Sequence, residues 1–255
     1  MNLIHYRIRL SILLLAAVTA VGVVLYQDPI AQNPEYHRFR DARLFFGIPN
    51  FWNVITNLAF LLVGLLGWQW LSKATPGNHL RELRPAYFFL FTGLVLISVG
   101  SGYYHLWPGN GTLVWDRIPM TIAFMALFVV IIGEFISIRA GRLLLWPLLI
   151  CGVSSVIYWH FTEVRGTGDL RPYILVQFLP VLLLPLIMLL FNPVFTRTRG
   201  YWLLLGSYLL AKVLEHFDAA IFDIAPLLSG HSLKHVTAAC GVFLMIEAYK
   251  RRELC

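Results

Sequence analysis

Ser229-Gly230-His231-Ser232-Leu233-Lys234-His235 leads straight into Val236 to Ala248, a run that is nearly all apolar. A turn therefore opens a helix. At about 3.6 residues per turn the two histidines, four positions apart, share one face and can hold one metal ion between them. An apolar run of that length belongs in a bilayer, where ionisable groups are functional by default. The structural alternative is a pair of interfacial histidines hydrogen-bonded to neighbouring helices.

Composition agrees with a membrane setting. Of 255 residues 58% are hydrophobic and 13% charged, against roughly 25% charged in an ordinary soluble domain, and the mean hydropathy is +0.71. A net charge of +7 would suggest nucleic acid as a partner of a soluble protein. Here Lys and Arg gather in short loops between apolar runs, so they report membrane orientation and no nucleic-acid partner is expected. Of the three cysteines, Cys151 and Cys240 sit inside apolar runs and Cys255 is the last residue. They build neither a disulfide framework nor a cysteine-based zinc motif.

Apolar runs at about 10–26, 51–71, 87–105, 118–138, 143–161, 173–191, 200–222 and 232–249 each approach the roughly 20 residues that cross a bilayer. The expectation is an all-α polytopic membrane protein, a seven-transmembrane helix bundle with one extra N-terminal transmembrane helix. Residues 1–49 would form the anchor and an outer linker, and 50–255 the bundle. The first run follows Arg7 and Arg9 and is read as a retained span, because no small-x-small cleavage site follows it.

Charge then orients the spans. With an inner amino terminus, Arg7, Arg9, Lys73, Arg81, Arg84, Arg139, Arg142, Arg197, Arg199, Lys250, Arg251 and Arg252 fall inside, and Arg38, Arg40, Arg43, Arg117, Arg165 and Arg171 outside. Both termini are expected in the cytoplasm, with His231 and His235 at the outer end of the last span. By the same count the third span, ending Ser98-Val99-Gly100-Ser101-Gly102-Tyr103-Tyr104-His105, also ends outside. Three imidazoles then meet at one depth. Three protein ligands with an open fourth position is the catalytic zinc arrangement, and four closed ligands the structural one.

Ser101 lies four residues before His105, on the same helix face. Asp116, in Trp115-Asp116-Arg117-Ile118-Pro119, opens the fourth span, where a carboxylate can orient a water at the metal or take its proton. Asp116 also fits a helix cap, and Ser101 a hydroxyl bonded back to its own helix. The zincin pattern is excluded because Ser232 stands where its glutamate belongs. Asn53 and Asn57, and Lys212, Glu215 and Asp218, have helical spacing and read as groups that bond across helices. The outer loop Glu163 to Pro172 reads as a solvated turn or the edge of an entrance.

The combination Phe51-Trp52-Asn53-Val54-Ile55-Thr56-Asn57, Ser101-x-x-x-His105, Asp116 and His231-x-x-x-His235 resembles the alkaline ceramidase family of seven-span zinc hydrolases, over about Asn50 to Tyr249. The Ser, His, Asp, His, His set is shared with a wider superfamily that includes the adiponectin and progestin receptors. The resemblance implies Zn²⁺ on His105, His231 and His235, Asp116 acting on water, and Ser101 supporting the site. It implies hydrolysis of the amide of ceramide, a lipid substrate, to a sphingoid base and a fatty acid. The family's calcium site is not expected, since Asn50 replaces its glutamate and Tyr36 to Asp41 is mostly basic. Two other readings stay open: a receptor-like or scaffolding protein with a structural zinc, and a proton-coupled transporter using Glu215 and Asp218.

Overall fold

The structure, a computed structural model, describes residues 3–74 and 78–255; Met1 and Asn2 of the expected N-terminal unit lie outside the described residues. It is an all-α polytopic bundle, with no β-strand among the described residues. The order is α1 (Leu3–Tyr26), α2 (Phe51–Ile55), α3 (Leu58–Lys73), α4 (Asn78–Leu106), α5 (Asn110–Ile131), α6 (Ile138–Val164), α7 (Arg171–Leu190), α8 (Arg199–His216), α9 (Asp218–Ile224) and α10 (Gly230–Lys250). Among the described residues, six stretches are long and apolar enough to cross a membrane: Leu3–Tyr26, Phe51–Lys73, Leu80–Leu106, Asn110–Ile136, Ile138–Val164 and Arg171–Leu190. The remaining two expected spans, α8 and α10, are 18 and 21 residues long. Arg199, Lys212 and Glu215 on the first, and His231, Lys234 and His235 on the second, dilute their hydropathy.

The helices close around one core. α3, α4, α5 and α6 pack in sequence, α7 lies against α5 and α6, and α8 against α10, which returns to α3. Tyr87, Phe91, Val129, Met245 and Ile246 are fully buried between them. α1 stands outside against α7, and Leu13 alone of its described residues is buried. Its remaining apolar surface suits lipid contact, as expected of an added span.

Two expected spans are interrupted. The run 51–71 breaks between α2 and α3 at Thr56 and Asn57, and 200–222 breaks at Phe217, so Asp218 heads α9 rather than extending the helix of Lys212 and Glu215. Asp218 leaves that helix because its Oδ1 accepts the backbone N–H of His231 at 2.6 Å. At its C-terminal end α5 widens into a π-helical turn, Ile132–Ile136. Glu134 on that turn accepts from Tyr201 at 2.6 Å, from Arg252 at 2.7 Å and from Tyr87, so each carboxylate oxygen is satisfied in a buried setting.

Candidate metal centre

His231 and His235 enter from the first turns of α10. Ser229 caps that helix, its hydroxyl accepting the backbone N–H of Ser232 at 3.2 Å, which satisfies one of the unpaired donors at a helix start. Gly230 is required by a close approach. A Cβ there would strike the carbonyl oxygen of Leu214 and lie 2.9 Å from Cα of Asp218, so a side chain would push the histidine pair off α8.

His105 arrives at the C-terminal end of α4, and the three rings converge. Their centroids are 4.9 Å apart for His105 and His231, and 5.2 Å for His235 with each of the other two. One nitrogen from each lies within 4.8 Å of the others, and all three residues are buried. Nδ1 of His105 and Nε2 of His231 have no hydrogen-bond partner among the described residues. Buried nitrogens without partners are costly, and a single cation among them would take up their lone pairs. The donor set therefore fits a metal ion.

The orientation of the third ring follows from Thr56. Its hydroxyl donates to the carbonyl of Trp52 at 2.7 Å and lies 2.9 Å from Nδ1 of His235. With its only proton given to Trp52, Thr56 accepts from Nδ1–H, which leaves the lone pair of His235 on Nε2. Asn50, in the left-handed region at φ 49°, donates to the carbonyl of His105 at 2.8 Å, an environment Asn tolerates better than most residues. Asn53 spans the two helices as expected, accepting from the hydroxyl of Ser232 at 2.7 Å. Asn57 instead donates within its own segment, to the carbonyl of Asn53.

Asp116 is not a helix cap. α5 starts at Asn110, with Gly109 in the cap position, so Asp116 sits well inside the helix and is buried. It lines the same cavity as Ser101, which is also buried. Gly100 makes that possible, because a Cβ there would collide with the carbonyl oxygen of Trp115. α4 and α5 touch backbone to side-chain-free backbone at the point where they present the two residues.

Ser101, Asp116 and His235 line one cavity of about 460 Å³. Its wall descends past Ala238 and Val242 to Met245 on α10, about 15 Å of helix, with Leu127, Phe124, Leu184 and Leu204 on facing helices. Of the expected polar groups on α8, Lys212 and Glu215 are in this wall. Glu215 accepts from both Lys212 and Lys234, and thereby joins α8 to α10.

The segment between α1 and α2, expected from the sequence to be a linker, forms a cover over the histidines. The ring of Phe39 lies 4.7 Å from His105 and 4.8 Å from His231. Gln32 accepts from Arg117 at 2.6 Å, and its backbone N–H donates to Glu163 at 2.5 Å. Burial pushes the Tyr36 phenol above its ordinary range. Asp41, the acidic residue in the stretch Tyr36 to Asp41, is held on both oxygens by Arg43 at 2.7 Å. In the 163–172 loop Asp169 accepts from Arg171 at 2.8 Å on each oxygen, which holds its carboxyl below the usual range. That loop packs on the cover, since the N–H of Leu170 donates to the carbonyl of Ile30 at 2.8 Å. Phe39, Thr56 and Gln32 carry no spacing signal that would have singled them out. The chain matches no protein-family model and no curated protein.

Proposed function

We propose that this protein is a ceramidase-like membrane amidase that uses Zn²⁺ to hydrolyse ceramide or a related N-acyl lipid, releasing a sphingoid base or other amine and a fatty acid. The observation that carries this reading is the joint placement of His235, Asp116 and Ser101 on the wall of a cavity whose far end is apolar. In this reading a single acyl chain occupies that end and the amide lies beside His235, Asp116 and Ser101. Three neutral imidazole donors suit zinc and leave a fourth position for chemistry. Zinc, when bound, polarises an amide carbonyl and lowers the pKa of water towards about 7.

The chain's own groups supply the rest. His105, His231 and His235 would hold the ion, and Thr56 keeps His235 in the tautomer that does so. Hydrolysis adds water across the amide: oxygen bonds to the carbonyl carbon, the C–N bond breaks and the nitrogen gains a proton. Asp116 is placed to take the water's proton and return it to the departing nitrogen, with Ser101 holding the carboxylate in position. Phe39 and the cover over the rings keep bulk water from the site. The distribution of Lys and Arg supports a site on the outer side and termini in the cytoplasm.

The test is purified protein incubated with a panel of ceramides of varied acyl length, fatty acid release being followed with and without a zinc chelator. Chelator-sensitive release is expected. No release from any ceramide or simpler N-acyl amide, with the metal site full, would overturn the amidase reading.

A further inference from the structure

The polar end of the cavity has an unbalanced charge. Arg117, Lys212 and Lys234 line it with Asp116 and Glu215, so three cations meet two carboxylates. Glu215 is committed on both oxygens, one to Lys212 and one to Lys234. Asp116 makes no salt bridge among the described residues and is the one carboxylate set against the remaining charge of the three cations. Arg117 has no carboxylate partner among the described residues. Its Nη2 donates to Gln32, its Nη1 makes no hydrogen bond, and the residue is 5% exposed. The guanidinium carbon lies 4.2 Å from the ring centre of Trp159 and 4.6 Å from that of Tyr173. Aromatic faces compensate part of the loss of water, but a buried cation without a counter-charge is costly to keep. The excess sits beside the group assigned to proton transfer, because Arg117 follows Asp116 on α5 and both line the cavity.

We propose that the amine half of the substrate carries a carboxylate, recognised by Arg117 with Lys212 and Lys234, so that the preferred substrates are N-acyl amino acids and not neutral ceramides. The planar guanidinium matches a carboxylate's two oxygens, and the low-polarity surroundings strengthen the pairing. The inference rests on the amidase reading and narrows its substrate class. An acidic head balances the cation excess at the outer end, while the acyl chain runs towards Met245. A neutral head leaves Arg117 unpaired.

Two amides that differ in one group decide the matter: N-palmitoyl glycine and N-palmitoyl ethanolamine, offered to the full chain in phosphatidylcholine nanodiscs. Wild type is expected to show at least a tenfold higher kcat/KM for the acidic amide, carried by KM. Arg117→Gln should collapse that ratio at least tenfold, and Arg117→Lys should restore part of it. A merely structural Arg117 would not move the ratio. Equal or reversed preference in wild type overturns the proposal without recourse to any variant, so misfolding of Arg117→Gln cannot shelter it. Binding of both amides is measured in parallel by calorimetry. If neither amide is cleaved but the acidic one binds tenfold tighter in wild type and not in the variants, the recognition stands and the amidase reading falls. If both are cleaved and bound alike, the amidase reading stands and this inference falls. Palmitate is the third ligand: dependence on Arg117 equal to that of N-palmitoyl glycine would assign the cation to the released acid and overturn the head-group assignment.

Discussion

Thr56 reaches across from the break between α2 and α3 to His235 on α10, with 2.9 Å between its hydroxyl and Nδ1. The interruption of the second span therefore coincides with the residue that sets a ligand's tautomer. Thr56→Val keeps the shape and removes the acceptor. Metal affinity is expected to fall by about 10- to 100-fold with the helical content intact, as read by competition against a chromophoric chelator. Unchanged affinity would remove Thr56 from the site.

His231→Ala takes away one of three ligands. Metal analysis of the wild type should return about one zinc per chain, and the variant should lose metal and activity together while circular dichroism stays helical, because the bundle is held by packing between helices. A variant that retained a full complement of zinc would refute the ligand assignment.

Asp116→Asn separates proton transfer from structure more cleanly than the sequence suggested, since Asp116 caps no helix. Turnover should drop by roughly 10² or more at normal zinc content, both being measured on one N-acyl substrate. Near-normal turnover with normal zinc would leave the proton to another group.

Orientation follows from charge and is checked by reporters. A fusion after Arg252 is expected to read as cytoplasmic and an insertion near Gly109 as external. The reverse pattern would put the site on the other leaflet.

The pair of Asp169 and Arg171 makes stability depend on pH at the loop between α6 and α7. Hydrogen bonds from Arg171 depress the folded-state pKa of Asp169, so the stabilisation is complete above the unfolded value of about 3.9. It is lost as pH falls through the lower folded value. Thermal midpoints of wild type and Asp169→Asn should therefore differ at neutral pH and converge in acid. A gap that widens on acidification would contradict this sign.

The sequence by itself determined the class and singled out the three histidines that the fold brings together. Long apolar runs leave no other place for the backbone than membrane helices. His231 and His235 share a face through helical periodicity, and counting crossings set His105 at their depth. Periodicity acts within one helix and hydropathy along one run, so both could be read without a fold. What joins distant segments could not. Phe39 covers His105 and His231, Gln32 holds Arg117, and Asp218 turns out of its helix to meet His231, each across a separation in sequence that no local pattern encodes. The alternative of a cap at Asp116 was open in the sequence because Asp116 shortly precedes Pro119, a residue common at helix starts. The helix begins earlier, at Asn110, since Pro119 is accommodated inside α5. Whether a buried charge is matched depends on which side chains tertiary packing brings into its neighbourhood, and only the assembled bundle pairs Glu215 with two lysines and leaves Arg117 without a salt bridge among the described residues.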